Sequence, residues 1–100
     1  MINGIPRDNI LQAVAGLKGI SHEIRLSILC YLSQQPMTVG DLAEAIGTSQ
    51  SSISQHLSKM QAACWVCADA QGTSRIYRIC DPEKLKLLEV LHQIYCKEGQ

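Results

Sequence analysis

Between Thr38 and Ala63 the chain reads TVGDLAEAIGTSQSSISQHLSKMQAA, and that string accepts few folds. It predicts two short helices joined by a tight turn. Thr38 can cap the first, with Asp41 three residues on in the acidic position of a capping box. Leu42, Ala43 and Ile46 give this helix one apolar face. Gly47 stands where it must stop, in the place a left-handed residue takes. Thr48 and Ser49 can cap the second helix. There Ile53, Leu57 and Met60 share one side, and Gln50, Ser51, Ser52, Ser54, Gln55, His56, Ser58 and Lys59 lie on the other.

That outer face carries the functional signal. A solvated helix is usually dressed with Glu and Lys, yet no acid occurs between Glu44 and Asp69. Short hydroxyls and amides replace them, and these are poor helix formers when exposed. Ser and Gln suit phosphate oxygens and base edges. A helix–turn–helix places the start of its second helix in the major groove of DNA. The plainer reading of the same face is a Ser-rich solvated helix in an αα-hairpin.

The length suits one domain spanning residues 1–100, and an apolar content of 46% supports a folded core. No apolar run of about 18 residues occurs, so no membrane span is expected. The first ten residues lack the charged start and apolar centre of a signal peptide, which favours a cytoplasmic protein. A net charge of zero argues mildly against a nucleic-acid binder. The distribution helps, because residues 45–80 hold Lys59, Arg75 and Arg78 against Asp69 alone, and a dimer would double that patch. A shallow salt dependence is expected. Cysteines stand at 30, 64, 67, 80 and 96. An odd number without an export signal reads as thiols, whether free, redox-active or metal-binding, and not as a disulfide framework.

In chain order, residues 1–7 read as a loose arm. Asp8 can cap a helix running to about Lys18, with Ile10, Leu11, Val14 and Leu17 making a wide apolar face; Gly19 ends it. Ser21 can cap a second helix with Glu23 in its first turn. Ile24, Leu26, Ile28, Leu29, Tyr31 and Leu32 make that helix apolar on nearly every side, which suits a central position, and Cys30 lies within it. Gln34, Gln35 and Pro36 break it. Residues 65–79, WVCADAQGTSRIYRI, predict a β-hairpin pivoting on Gln71-Gly72, with Arg75 just past the turn. Asp81 can cap the last helix, with Pro82 at its first position. Leu85, Leu88, Leu91 and Tyr95 form one stripe of that helix; Leu87, Val90 and Ile94 form a second. Two apolar faces predict one for the core and one for a second subunit. The dimer surface is expected to hold Leu11, Val14, Leu87, Val90, Leu91 and Ile94.

The expected class is therefore mainly α with a small β-hairpin, a winged helix-turn-helix of order α-α-α-α-β-β-α. With the strings SHEIRLSILCYL, TVGDLAEAIGTSQSSISQHLSKM and LLEVLHQIYC, the chain resembles the ArsR/SmtB family of winged-helix repressors over about residues 10–97. The resemblance implies a homodimer that binds an operator inverted repeat and leaves it when an inducer binds. The acid-free face and the hairpin tip put the expected DNA contacts at Thr48, Ser49, Gln50, Ser51, Ser52, Ser54, Gln55, His56 and Lys59, with Arg75 just past the turn.

Family members sense different inducers. One family metal site is a C-x-C before the Asp-Leu pair, where this chain has Met37, Thr38, Val39 and Gly40. Of the other, on the last helix, only Asp81 and His92 remain, too few for a tetrahedral zinc site. Cys30 in ILCYL and Cys96 in HQIYC match instead the pair of the thiol- and persulfide-sensing branch, the SqrR-, BigR- and HlyU-like regulators. The resemblance thus implies no cofactor, and an oxidant or reactive sulfur species as inducer. Cys96, near the chain end, is expected to react first and Cys30 to resolve it.

Three departures stand out. Cys64 replaces the Gly that the family has at the end of the recognition helix, so a strained helix end is expected. Cys67 completes a C-x-x-C, and Cys80 lies at the far end of the hairpin. A thioredoxin-like redox enzyme would need βαβ context that is absent, and no acid–base pair or activated nucleophile marks an enzyme. Cys64, Cys67 and Cys80 leave open a repressor responsive to zinc, copper or arsenite. A winged helix used only for protein–protein contact is a third reading.

Overall fold

The computed structural model describes residues 4–95. Five helices and three short strands follow in the order α1 (Arg7–Lys18), α2 (Glu23–Leu32), β1 (Met37–Thr38), α3 (Val39–Ile46), α4 (Gln50–Ala62), β2 (Val66–Gln71), β3 (Ser74–Ile79) and α5 (Pro82–Tyr95).

The helix–turn–helix forms as its residues dictate. Thr38 Oγ1 accepts from the Asp41 amide at 3.1 Å, and the Asp41 carboxylate accepts from the Thr38 amide at 3.4 Å, closing the capping box. Gly47 adopts φ 84°, where a side chain would be strained. Ser49, not Thr48, caps α4, accepting from the Ser52 amide at 3.1 Å. At the other end of the chain, Asp81 accepts from the Glu83 amide at 2.9 Å and starts α5 at Pro82.

Two expected caps fall elsewhere. α1 begins after Pro6 with no side-chain cap, and Asp8 lies inside its first turn, where a carboxylate still favours the helix dipole. α2 is capped by His22 rather than Ser21: its imidazole Nδ1 accepts from the Ile24 amide at 3.1 Å. The hairpin pivots one residue later than Gln71-Gly72. Gln71 pairs with Ser74, so Gly72 and Thr73 form the loop, with Gly72 at φ 64°. The sheet also has a third strand, β1, in the order β1-β3-β2, with Met37 opposite Tyr77 and Thr38 opposite Ile76.

The core lies between α2, α3, α4 and the sheet. Ile28, Leu29, Leu42, Ile53, Leu57, Met60 and Val66 are fully buried in it. α2 is less enclosed than its composition implies, since Leu26 and Tyr31 are exposed. On α5, Leu88 is buried and Leu91 packs against the core, but Tyr95, expected to continue that stripe, is 78% exposed. α1 buries none of its own side chains. It is tied down at its last turn, where the Trp65 indole Nε1 donates to the Gly16 carbonyl at 3.2 Å.

Candidate nucleic-acid interface and thiol sites

The Ser- and Gln-rich side of α4 faces outward. Ser49, Gln50, Ser51, Ser54, Gln55, Ser58 and Lys59 are exposed, and Thr48 and Ser52 are half-buried at the turn. No acidic side chain occurs on α4. The hairpin stands beside the start of this helix. A cleft of about 470 Å3 between them is lined by Thr38, Val39, Gly40, Gln50, Ser54, Ser74, Arg75 and Tyr77. Arg75 follows the closing pair of the hairpin, and its guanidinium lies 5.9 Å from the centre of the Tyr77 ring. Gln50, Ser54 and Arg75, far apart in sequence, are thus brought to one cleft. Thr38 and Ser74, not among the expected DNA contacts, join them; their hydroxyls beside a Ser- and Gln-rich helix were the available signal. Arg78 is held by Asp69 at 2.8 Å, which offsets one positive charge on the wing.

His56 is less open than its neighbours. Its ring lies 4.6 Å from that of His22, tilted by 43°, and its Nδ1 is buried without a hydrogen-bond partner. Burial lowers its pKa below the ordinary histidine value, and the nearby charges of His22, Arg25 and Lys59 lower it further. The neutral form of His56 is thereby favoured. Nothing in the spacing of residues 22 and 56 announces this pair.

The cysteines divide into two places. Cys30, on α2, is half-buried in a cleft of about 460 Å3 lined by Glu23, Leu26, Ser27, Cys30, Tyr31, Gln34 and His92. His92 comes from α5, so this cleft joins the core helix to the last helix. Cys96 lies outside the described residues.

The second place is the foot of the wing, where the reading of all five cysteines as thiols is corrected. Cys67 and Cys80 form a disulfide with a Cα–Cα distance of 5.5 Å. Cys67 pairs across the ladder with Arg78, so Cys80, two residues on, is its diagonal neighbour on the same face. That separation is in the ordinary range for a disulfide. The bond leaves Cys64 as the one thiol of these three in this state, and among the described residues no three His, Cys, Asp or Glu side chains are grouped to hold a metal ion. Cys64 is an exposed free thiol. It takes φ 64°, as expected of a residue in the glycine position. Its amide bonds the Gln61 carbonyl at 3.1 Å and the Trp65 amide bonds the Met60 carbonyl at 2.8 Å, the pattern of a helix closed by a left-handed residue.

A helix–turn–helix with an adjoining β-wing, its second helix polar and acid-free on the open side, defines a winged helix-turn-helix transcriptional regulator. The chain belongs to the bacterial ArsR family: the family profile described as "Bacterial regulatory protein, arsR family" matches residues 22–63. The transcriptional activator HlyU of Vibrio cholerae is 34% identical over 92 residues, covering 92% of this chain and 85% of that protein. The structure of reduced HlyU from the same organism superposes with a TM-score of 0.87 at 33% identity, covering 91% of this chain and 96% of that one. The transcriptional repressor BigR of Xylella fastidiosa superposes with a TM-score of 0.83 at 26% identity, covering 94% of this chain and 93% of that one. These relatives and the fold are those of transcriptional regulators and not of an enzyme. Among the described residues no helix is long and apolar enough to cross a membrane.

Proposed function

We propose that the protein is a cytoplasmic, homodimeric repressor that binds an operator inverted repeat and is released when Cys30 and Cys96 become linked. The observation that carries the DNA-binding half is the acid-free Ser and Gln face of α4 meeting Arg75 of the wing in one cleft. Exposed Ser51, Gln55 and Lys59 extend that surface along α4. In this arrangement α4 enters the major groove and Arg75 meets the backbone.

Two subunits would meet through α1 and α5. Leu11 and Val14 on α1, and Leu87, Val90 and Ile94 on α5, are between 39% and 56% exposed in the single chain. Leu91 packs mainly inward and would contribute only at the edge of such an interface.

For the switch, the support is the cleft that joins Cys30 to His92. Cys96 follows His92 by four residues in the sequence. A sulfur link between α2 and the end of α5 would tie the core to the dimer helices. That would change the separation of the two α4 helices from the roughly 34 Å that successive major grooves require. The test is a mobility-shift assay with the reduced, purified protein on an inverted repeat. Release by a sulfane-sulfur donor or peroxide supports the reading. Release only by metal ions contradicts it.

A further inference from the structure

A second sulfur site lies at the foot of the wing, away from Cys30. One cavity of about 700 Å3 is lined by Cys64, Cys67 and Cys80 together, with Gln61 and Lys84 among its other walls. Two of these sulfurs are already bonded to each other and the third is an exposed thiol. We propose that this cavity is a thiol–disulfide exchange site, in which Cys64 is the nucleophile toward the Cys67–Cys80 disulfide.

Connectivity holds the three together. Three residues of chain span at most about 11 Å, which bounds the distance from Cys64 to Cys67. On the other side, the Lys84 ammonium donates to the Cys64 carbonyl at 2.9 Å. Lys84 lies in the first turn of α5, which begins two residues after Cys80, so it tethers Cys64 to the helix that follows Cys80. The same ammonium lies 5.1 Å from the centre of the Trp65 ring, which fixes it in place. Cys64 itself sits at φ 64°, a backbone position that glycine would occupy at less cost. A thiol function at this position accounts for that strain.

The step is balanced within the protein. The Cys64 thiolate attacks Sγ of Cys80; the Cys64–Cys80 bond forms as the Cys67–Cys80 bond breaks. Cys67 departs as a thiolate and takes up the proton that Cys64 gave to water. One thiol and one disulfide stand on each side, so no outside oxidant or reductant is consumed. Before exchange the bond ties β2 to the junction between β3 and α5. After it, the bond ties the end of α4, the helix with the Ser and Gln face, to the same point. β2 thereby loses its sulfur link to the β3–α5 junction, while the chain just past α4 is pinned there.

This inference does not depend on the Cys30–Cys96 switch, and its test removes that pair. The full-length chain carrying Cys30→Ser and Cys96→Ser is prepared with its disulfide and held at mildly alkaline pH. Samples are quenched in acid, alkylated and peptide-mapped without reduction. The wild-type full chain is followed in parallel, so a folding defect of the double variant does not decide the result. A Cys64–Cys80 peptide with alkylated Cys67 is expected to accumulate, and to be absent when Cys64→Ser is added. Alkylation confined to Cys64, with Cys67–Cys80 the sole link at every time in both proteins, would overturn the proposal.

Discussion

The Trp65 indole Nε1 donates to the Gly16 carbonyl at 3.2 Å, across 49 residues of sequence. Trp65 is buried just past the end of α4, and Gly16 lies in the last turns of α1, so this bond links the two helices on which DNA reading and dimerisation are proposed to rest. A Cβ on neighbouring Gly19 would come within 3.1 Å of the same indole nitrogen. Trp65→Phe removes the bond while keeping an aromatic ring, and a net hydrogen bond is worth about 0.5–1.5 kcal/mol. Urea unfolding is expected to show a loss of that order plus a packing term. Unchanged stability would mean that α1 is held by other contacts.

The cleft between α4 and the wing separates two kinds of DNA contact. Arg75→Ala is expected to weaken binding to all sequences alike and to reduce the salt slope by about one. Gln55→Ala is expected to cost about 1–3 kcal/mol on the preferred operator and to relax sequence preference. Titrations at two salt concentrations, on operator and on unrelated DNA, read both. Unaltered affinity in both variants would favour a winged helix used for protein contacts.

Val90 is 49% exposed on the second stripe of α5. Val90→Glu would put a charge into an apolar dimer surface, where desolvation makes it costly. Sedimentation is expected to show monomers with an intact far-UV spectrum. A dimer unaffected by the change would place the interface elsewhere.

His56 gives stability a pH dependence. Its pKa is lowered in the fold, first by burial and then by His22, Arg25 and Lys59. Below its ordinary value near 6.5 the unfolded chain therefore binds more protons than the folded one. Stability is full above that value and falls as pH drops from about 6.5 toward the lower folded pKa. His56→Gln is expected to flatten this part of the profile in denaturant titrations at a series of pH values. An unchanged slope would show that other groups set it.

Local signals were legible in the residues, and long-range pairings were not. The capping box of Thr38 and Asp41, the left-handed Gly47 and the Asp81-Pro82 start of α5 are each decided within a few residues, and all stand as read. The left-handed Cys64 was expected only through the family resemblance, which puts glycine at that position. β1 escaped because a two-residue strand after Pro36 has no periodicity of its own; it exists only because β3 offers it a partner. The Cys67–Cys80 bond depends on the hairpin register, which a one-residue shift in the expected pivot obscured. His22 took the cap from Ser21 because its ring nitrogen reaches the Ile24 amide, a role seldom assigned to histidine. Tyr95 has the right spacing for the core stripe of α5 but stays exposed, since Leu88 and Leu91 already meet the core.

The central claim is that operator release runs through Cys30 and Cys96. Full-length wild type, Cys30→Ser and Cys96→Ser are compared in one assay: the fraction bound to an inverted-repeat operator before and after a sulfane-sulfur donor, with non-reducing peptide mapping of each sample. Wild type is expected to leave the DNA as a Cys30–Cys96 link appears, direct or through inserted sulfur, while both variants stay bound. Normal release by either variant, or release of wild type without that link, would contradict the account.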